Sequence, residues 1–261
     1  MARRDSREAM TIFRGAEALE ALTLKAESPK SGPCGRRGQG VILSRPPAGQ
    51  GPPEQEEKPI AMNGKPDDQR PELPDFWDKR FNEGVTPWNA GGVPAALAAY
   101  AARRDDRPRV LVPGCGHAWE AGWLARRGWE VTALDFSAAA VAAARQTLGD
   151  WPGELVCADF FDYAPAHPFD LIYERAFLCA LPRKLWAGYG RRMHALLAPG
   201  GALAGFFLFG DEPKGPPFAI APEALEALLA PWFVREEDQP VSDSLPVFAG
   251  RERWQVWRRL S

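Results

Sequence analysis

The sequence predicts an α/β fold: a mostly parallel seven-stranded sheet with helices on both faces and an antiparallel C-terminal edge. Two observations predict it. Short apolar runs of strand length alternate with segments of helix length from about residue 71 to residue 261, which is the pattern of a doubly wound sheet. After the last helix, two strand-like segments follow one another directly, so we expect them to pair antiparallel.

Local signals define the first half of this pattern. The run Arg109–Pro113 is apolar, of strand length, and bounded by proline and glycine. Gly128 is the residue type that most often ends a helix, and Ser137 is a good helix N-cap. The predicted order is helix 76–82, loop 84–92, an alanine-rich helix 94–104, strand 109–113, helix 119–127, strand 130–134 and helix 138–148.

The second half continues the alternation. Pro182 is placed to open a helix, and the run Pro199-Gly200-Gly201 is placed to close it. The predicted order is strand 154–158, strand 169–173, helix 182–197, strand 201–209, helix 222–229 and strands 233–238 and 253–259.

Residues 1–70 differ in composition from the rest. All ten tryptophans lie at or after Trp77, and 15 of the 39 residues from Ser28 to Pro66 are Gly or Pro. Such a segment buries too little apolar surface to offset the entropy of ordering it. We therefore predict a disordered extension over 1–70, with a short helix near Ser6–Ala26, and a single folded domain over 71–261. An alternative is a natural start at Met62.

Composition narrows the function classes. The net charge is −2, and no apolar run reaches about 18 residues, so neither nucleic acid nor a membrane is an expected partner. The four cysteines form no CxxC pair, and we expect neither a disulfide frame nor a metal site. The start of the chain lacks the apolar block of a signal peptide. These features favour a cytoplasmic protein, which we expect to be a monomer.

The most informative stretch predicts a ligand pocket. Gly114 and Gly116 follow the first buried strand, and Asp135 lies at the tip of the second strand. In open α/β sheets, ligands bind beyond the carboxyl ends of the strands. Glycine lets backbone approach a ligand closely, and an aspartate there can bind both hydroxyls of a ribose. The pattern therefore favours an adenosine-bearing cofactor.

Three further positions favour S-adenosyl-L-methionine over NAD. A dinucleotide fingerprint needs a third glycine at position 119, where the helix packs closely and presents its N-terminus to a pyrophosphate; this chain has Trp119. Asp159 and Phe160 follow the third strand, where they can bind an adenine amino group and cover the ring face. Each residue alone also fits an ordinary turn, and Asp159 fits a helix cap.

Several ordered motifs resemble the thiopurine S-methyltransferase family, and its thiol/halide branch in particular. They cover the chain from about Phe76 to its last residue. The motifs are Phe76-Trp77-Asp78-Lys79-Arg80-Phe81, Gly84-Val85-Thr86-Pro87-Trp88, Val112-Pro113-Gly114-Cys115-Gly116, Asp170-Leu171-Ile172-Tyr173-Glu174-Arg175-Ala176-Phe177 and Gly215-Pro216-Pro217-Phe218.

The resemblance implies a Rossmann-like class I methyltransferase and assigns site residues by position. Trp77 and Trp88 would line the methyl-donor site from an N-terminal lid, although tryptophans in such a helix also serve simply as core. Gly114, Gly116, Asp135, Asp159 and Phe160 would hold the cofactor together with Phe81, which stands where the branch often has another tryptophan. Asn89 replaces an aspartate that many members carry, so the polar contacts of the lid are an open question.

The resemblance also places Arg175 at the position of a site arginine. There it would contact the cofactor and favour a bound thiolate electrostatically; the alternative is a surface ion pair with Glu174 or Asp170. Phe206, Phe207, Phe209 and Phe218 are expected to desolvate the acceptor, although phenylalanines are more often plain core.

The expected reaction is in-line methyl transfer to a small-molecule acceptor. The acceptor would be a thiol or sulfide, with a thiopurine-like thiol or a halide also possible. A thiolate is already a good nucleophile, so no strong general base is predicted. The alternatives are methylation of an oxygen or nitrogen on an aromatic metabolite, and a non-catalytic protein that binds S-adenosylmethionine. An NAD-linked reductase is opposed by Trp119 and by the lack of a Tyr-x-x-x-Lys pair.

Overall fold

The structure, a computed structural model, describes residues 65–248 and 250–261. The short helix expected near residues 6–26 and the alternative start at Met62 lie outside these residues, as does most of the extension predicted to be disordered. Within the described part, structure begins slightly before the predicted boundary at residue 71. Asp67–Gln69 form a 3-10 turn, and Lys79 Nζ lies 2.8 Å from Asp68 Oδ2.

Six helices and seven strands follow in chain order within the described residues. The helices are α1 (Pro74–Asn82), α2 (Ala95–Ala102), α3 (Trp119–Arg126), α4 (Ala138–Leu148), α5 (Arg183–Leu196) and α6 (Pro222–Leu229). The strands are β1 (Arg109–Pro113), β2 (Glu130–Asp135), β3 (Glu154–Cys157), β4 (Phe169–Arg175), β5 (Leu197–Leu208), β6 (Phe233–Pro240) and β7 (Glu252–Arg259). A second 3-10 turn, Leu178–Ala180, follows β4.

The sheet confirms the predicted fold class. Its strand order is β3-β2-β1-β4-β5-β7-β6. The pairs among β1 to β5 are parallel, whereas β7 pairs antiparallel with both β5 and β6. The predicted antiparallel edge is therefore present, and its strand order is now defined: the later strand, β7, lies inside the sheet, and β6 forms the edge.

Most element bounds agree with the sequence within two residues, and the largest difference is the start of β5, four residues earlier than predicted. β4 continues to Arg175 because Glu174 and Arg175 pair with Gly205 and Phe206 of β5. β5 begins at Leu197 rather than after the glycines, since Leu197 pairs with Phe169 across an irregularity in the register. The proline–glycine run at 199–201 therefore lies inside an irregular strand.

Two apolar cores cover the two faces of the sheet. The first core packs α2, α3 and α4 against side chains such as Val112, Tyr173 and Phe206. The second packs α5 and α6 against side chains such as Leu111, Ile172 and Phe207. Because successive strand residues point to opposite faces, neighbours in β4 and β5 enter different cores, which decides the side chains that reach the ends of the strands.

Candidate active site

A cleft of about 300 Å³ lies over the carboxyl ends of the parallel strands. It spans the tips of β1 and β4, where the strand order reverses and where open α/β sheets bind ligands. Its volume is at the lower end of the range for small-molecule sites. We distinguish a β2–β3 half, lined by Asp135, Phe136, Ala158, Asp159 and Phe160, from a β4 half, lined by Glu120, Tyr173, Arg175, Phe177, Cys179, Leu181, Pro216, Pro217, Val247 and Phe248.

The glycine turn after β1 forms the floor between these halves. Gly114 has φ +58, and a Cβ there would lie 2.5 Å from Cδ2 of Phe177. Both the backbone angle and the close approach therefore require glycine at 114. Gly116 has φ +52, and its N–H donates to Asp135 Oδ2 at 3.0 Å. The turn ends at Ala118, which has φ 59 and caps α3.

Asp135 is held rigidly at the tip of β2. Its Oδ1 accepts from Ser137 N at 3.0 Å, and its Oδ2 accepts from Gly116 N. Burial raises its pKa to about 6, an effect that the backbone hydrogen bonds only partly offset and that the nearby Asp78 reinforces. A buried carboxylate with a raised pKa is stabilised by added hydrogen-bond donors, such as the two hydroxyls of a ribose.

Asp159 and Phe160 lie side by side at the end of β3 in the same half. Asp159 lines the cleft, while its Oδ1 accepts from Phe161 N at 2.8 Å. Asp159 therefore both stabilises the turn and faces the cleft, the two roles between which the sequence does not decide. Phe160 is buried, and its ring packs edge-on against Phe177, with 5.0 Å between ring centroids.

Three aromatic residues from the N-terminal segment cover the cleft. The ring of Trp88 lies 5.5 Å from that of Trp77 and 6.2 Å from that of Phe81, both in edge-to-face geometry. All three are half-buried and line the cleft. Trp77 is fixed by an indole hydrogen bond of 2.8 Å to the Pro71 carbonyl. The predicted lid residues are thus brought together at the cleft.

Asn89 ties this cover to the rest of the site. Its Oδ1 accepts from the indole N–H of Trp119 at 2.9 Å and from Gly91 N at 3.0 Å. Both partners are donors, so a carboxylate oxygen at position 89 would accept the same two bonds. Asn89, which stands where many family members have aspartate, therefore makes contacts that an aspartate could also make. Trp119 is directed to the lid loop.

A second link joins α1 to the Asp135 turn. Asp78 Oδ1 accepts from Ser137 Oγ at 2.6 Å and from Ala139 N at 2.9 Å. Ser137 in turn caps α4 by accepting from Ala140 N. The N-terminus of α4 is therefore capped from two directions, and the helix that carries Trp77 is fixed to the residue that orients Asp135.

The β4 half contains a buried ion pair that the sequence did not reveal. Arg175 Nη1 lies 3.4 Å from Glu120 Oε1, and the two side chains are 9% and 15% exposed. Tyr173 also donates to Glu120 Oε1, at 3.4 Å. Arg175 Nε is buried and has no hydrogen-bond partner among the described residues. The partner of Arg175 is thus Glu120, and the alternative of a surface ion pair with Glu174 or Asp170 is wrong.

The sequence alone does not single out Glu120, because an acid in the first turn of a helix is normally explained by the helix dipole. The available signal is its position just after the glycine turn: four residues after Gly116, it is the second residue of α3, and it lines the cleft over the strand tips. Burial raises the pKa of Glu120, and the Arg175 charge acts in the opposite direction.

The phenylalanines expected in the acceptor pocket lie elsewhere. Phe206 and Phe207 are neighbours in β5, so one enters each core, and neither lines the cleft. Phe209 packs against the second core. Phe218 also lies off the cleft wall, with the guanidinium of Arg183 5.6 Å from its ring centroid. The desolvating side chains come instead from segments outside the strands, including Phe177 and Phe248.

Neither thiol of the cleft is poised to react. Burial is the main cause that raises the pKa of Cys115 and Cys179 well above the usual value. Among residues 65–248 and 250–261, no cluster of three or more His, Cys, Asp or Glu side chains could hold a metal ion. No helix of this part of the chain is long and apolar enough to cross a membrane.

Comparisons with known proteins agree with this site. The sequence profile of the family described as "Thiopurine S-methyltransferase (TPMT)" matches residues 73–260. "Thiocyanate methyltransferase 1" of Arabidopsis thaliana is 30% identical over 195 residues, which is 71% of this chain and 85% of the relative. "Probable thiol methyltransferase 2" of the same plant is 34% identical over 165 residues, or 59% and 71% of the two chains. "Thiopurine S-methyltransferase" of Methylococcus capsulatus is 31% identical over 182 residues, or 61% and 82%.

Solved structures support the fold. The 1,6-didemethyltoxoflavin-N1-methyltransferase of Burkholderia thailandensis, solved with S-adenosylhomocysteine, aligns with a TM-score of 0.60 at 20% identity, covering 77% of this chain and 93% of that one. Magnesium protoporphyrin IX methyltransferase from Synechocystis, solved with S-adenosylmethionine, aligns with a TM-score of 0.59 at 15% identity, covering 77% and 100%.

The groups that line the cleft fit a nucleoside that carries a positive charge. A glycine turn without side chains, two carboxylates at neighbouring strand tips and a half-buried aromatic cover suit a sugar, a base and a sulfonium. Together with the match over residues 73–260, this shows that the chain belongs to the thiopurine S-methyltransferase family and is an S-adenosylmethionine-dependent methyltransferase.

Proposed function

We propose that the chain methylates a small, soft sulfur nucleophile: a thiol, sulfide or thiopurine-like thiol, with thiocyanate and halide as further acceptors. The observation that carries this proposal is the composition of the β4 half. Apart from the Glu120–Arg175 pair, the side chains named there are apolar or weakly polar. Such a wall desolvates an anionic sulfur and raises its reactivity, while Arg175 offsets part of the cost of placing the anion there.

The β2–β3 half would bind the cofactor. We propose that Asp135 accepts from the ribose hydroxyls and that Asp159 accepts from the adenine amino group, with Phe160 against the ring. Gly114 and Gly116 would let the cofactor lie directly on the backbone, and Trp77, Phe81 and Trp88 would cover it. When bound, S-adenosylmethionine supplies an electrophilic methyl group on a sulfonium, and the residues of the chain align the acceptor with it and exclude water.

The names of the relatives support a sulfur acceptor. They are named for thiol, thiocyanate and thiopurine methylation, and all three acceptors have a polarisable sulfur. Arg175 is the residue of this chain that would respond to the charge of such an acceptor, since its Nε is buried and has no partner within the described part of the chain.

A product-release assay tests the proposal. S-adenosylhomocysteine formation is measured with sulfide, 2-mercaptoethanol, a thiopurine, thiocyanate and iodide, each against a phenol and an aromatic amine of similar size. We expect turnover with at least one sulfur acceptor and none with the phenol or amine. Turnover confined to the phenol or amine contradicts the sulfur acceptor and leaves the methyltransferase assignment intact.

A further inference from the structure

Sheet order divides the cleft into a binding end and a reacting end. Asp159, Asp135 and Gly114 follow β3, β2 and β1, which are successive neighbours in the sheet, and the next neighbour is β4. If the adenosine lies over β3 and β2, as proposed above, the sulfonium end of the cofactor points towards the tip of β4. Glu120, Tyr173 and Arg175 meet at that tip. The Glu120 carboxylate is therefore on the acceptor side of the cleft.

A thiol acceptor brings a proton with it. A cysteine-type thiol has a pKa of about 8.5, so only a few per cent is thiolate at neutral pH, and simple alkyl thiols are less ionised still. The thiolate is the reactive form, and an arginine can stabilise it but cannot take its proton, since guanidinium stays protonated in proteins. A thiol-methylating site gains from a carboxylate that receives this proton close to the sulfur.

Glu120 is the carboxylate of the β4 half with access to the cleft. Glu174 precedes Arg175 in β4 and so points to the other face, where its Oε1 accepts from Phe177 N at 3.2 Å and Leu178 N at 2.9 Å. Asp135 is held by the two backbone N–H groups of its turn. Glu120 differs from both because its partners are two side chains of the cleft wall itself, Tyr173 and Arg175.

We propose that Glu120 is the general base of thiol methylation, which rests on the proposed sulfur acceptor. The S–H bond of the thiol breaks, and its proton passes to the Glu120 carboxylate. The freed electron pair of sulfur forms the new S–CH₃ bond, while the methyl–sulfonium bond breaks and leaves its pair on the cofactor sulfur. The products are a thioether, S-adenosylhomocysteine and a protonated Glu120, which returns its proton to water.

The environment of Glu120 suits this cycle. Burial raises its pKa above that of an ordinary carboxyl, bringing it closer to that of the thiol. The groups that act on it are the Arg175 charge, its own backbone N–H and the Tyr173 hydroxyl, all of which lower its pKa, and Cys115 from the glycine turn interacts with it electrostatically. As the proton moves from thiol to Glu120, the negative charge moves to sulfur and stays beside Arg175, so the pair of charges is conserved.

Paired acceptors test the proposal, because thiocyanate carries no proton at neutral pH. Glu120→Gln keeps the shape of the side chain and removes the base. With 2-mercaptoethanol, we expect kcat/KM at pH 7 to fall about 100-fold, the lower end of the range for general base catalysis. With thiocyanate, we expect kcat/KM to stay within about 3-fold or to rise, since a negative charge beside an anion has been removed. Glu130→Gln, the same change at the exposed start of β2, should alter neither.

A measurement without turnover supplies the second readout. The ultraviolet band of the thiolate is titrated for 2-mercaptoethanol bound to the S-adenosylhomocysteine complex. Because a carboxylate disfavours a neighbouring anion, we expect the thiolate band to appear at a lower pH in Glu120→Gln than in the wild type; an unchanged pH would place Glu120 away from the bound sulfur and contradict the proposal. This titration also carries the test if the wild type accepts the thiol alone, or if the variant is too slow to assay.

The possible failures differ from one another. A wild type that methylates neither probe overturns the proposed sulfur acceptor. Equal losses with both probes, or weaker binding of S-adenosylhomocysteine, would assign Glu120 to the amino acid end of the cofactor and overturn the base. A loss specific to the thiol in His117→Gln but not in Glu120→Gln would move the role to His117, which also lines the cleft.

If Glu120→Gln does not fold, Tyr173→Phe removes one donor to the carboxylate and should shift the rise in thiol rate to higher pH; an unchanged profile contradicts the proposal.

Discussion

The two halves of the cleft are built by different means. The β2–β3 half consists of strand tips, where carboxylates are fixed by backbone N–H groups one or two residues away in the chain or across one strand. The β4 half is assembled from α3, the segment after β4, the Pro216–Pro217 segment and the segment around Phe248. One half is specified by local turns, and the other depends on tertiary packing of distant parts of the chain.

If the β2–β3 half binds the cofactor, as proposed above, this difference would let one cofactor site coexist with different acceptors. Local turns can keep Asp135 and Asp159 in place whatever happens around β4. The β4 half is lined by several separate segments, and the residues of each segment can change without disturbing the sheet. Acceptors as different as those in the names of the relatives, thiol, thiocyanate and thiopurine, would then require changes in the β4 half alone.

The largest expected effect comes from the residue at which the halves meet. In Gly114→Ala, the new Cβ would lie 2.5 Å from Phe177, at a backbone φ of +58. We expect the strain and the overpacking together to reduce the free energy of unfolding by about 2–5 kcal/mol. Urea unfolding measures it. Gly200→Ala is the control, because Gly200 also has positive φ but meets nothing within 4 Å; an equal loss in both variants would show that Phe177 yields easily.

Asp135→Ala tests the independence of the β2–β3 half. The variant loses a charged acceptor of hydrogen bonds, and we expect S-adenosylhomocysteine to bind more weakly by about 1.5–3 kcal/mol. Calorimetric titration measures this loss. The KM for the acceptor, taken at saturating cofactor, should change little. An acceptor KM that rises as much as the cofactor Kd would contradict the division of the cleft, and unchanged cofactor binding would place the ribose elsewhere.

A buried acid in each half gives a pH-dependent comparison. Burial raises the pKa of Glu174, behind the β4 half, to about 8, and that of Asp135 to about 6. Each folded-state pKa lies above the unfolded value, so the folded chain holds a proton that the unfolded chain has released, and stability falls as pH rises through that window. From pH 6.5, the usual pKa of histidine, up to about pH 8, the titration of Glu174 is expected to dominate the decline in the free energy of unfolding. The decline is at most about 1.4 kcal/mol per pH unit.

The measurement is the free energy of unfolding at several pH values between 6.5 and 8. We expect Glu174→Gln to flatten the decline, because its amide can keep accepting from Phe177 N and Leu178 N without titrating. In a second series from about pH 5 to about pH 6, saturating S-adenosylhomocysteine should remove the share of the decline that belongs to Asp135 and leave the share of Glu174. A slope that survives Glu174→Gln would assign the titration to another group.

The smallest effect concerns the link between the lid and α3. Asn89→Asp should change stability by less than about 0.5 kcal/mol, since an aspartate oxygen accepts the same bonds from Trp119 and Gly91. Asn89→Ala should cost about 1 kcal/mol, the net value of such a bond. Thermal unfolding of the three proteins side by side measures both. A larger loss in the aspartate variant would show that the lid loop rejects the charge.

Sequence reasoning predicted the β2–β3 half far better than the β4 half, and for a physical reason. Asp135 and Asp159 could be placed because strand length fixes where a tip falls and because backbone turns hold the side chains there. Phe206 and Phe207 were assigned to the acceptor pocket because they are apolar and lie near the carboxyl end of a strand. The alternation of β5 sends them to opposite cores instead, and the sequence does not show that this strand is covered on both faces.

The contacts of Arg175 could not be predicted either. Its position at the site followed from the family motif, but its partner Glu120 is 55 residues earlier in the chain, a separation over which no local rule applies. The sequence also does not predict that Pro216–Pro217 and Val247–Phe248 line the cleft, since only the folded chain brings these segments there. Pairings that depend on three or more elements lie outside what local patterns specify.

The position of β7 has a consequence for biosynthesis. Because β7 lies between β5 and β6, β6 has no neighbouring strand until residues 252–259 have left the ribosome. Until then the β5 edge, with its apolar Phe206–Leu208 segment, is a free template for other chains. Nascent molecules arrested shortly before residue 252 should consequently depend on chaperones much more than released ones.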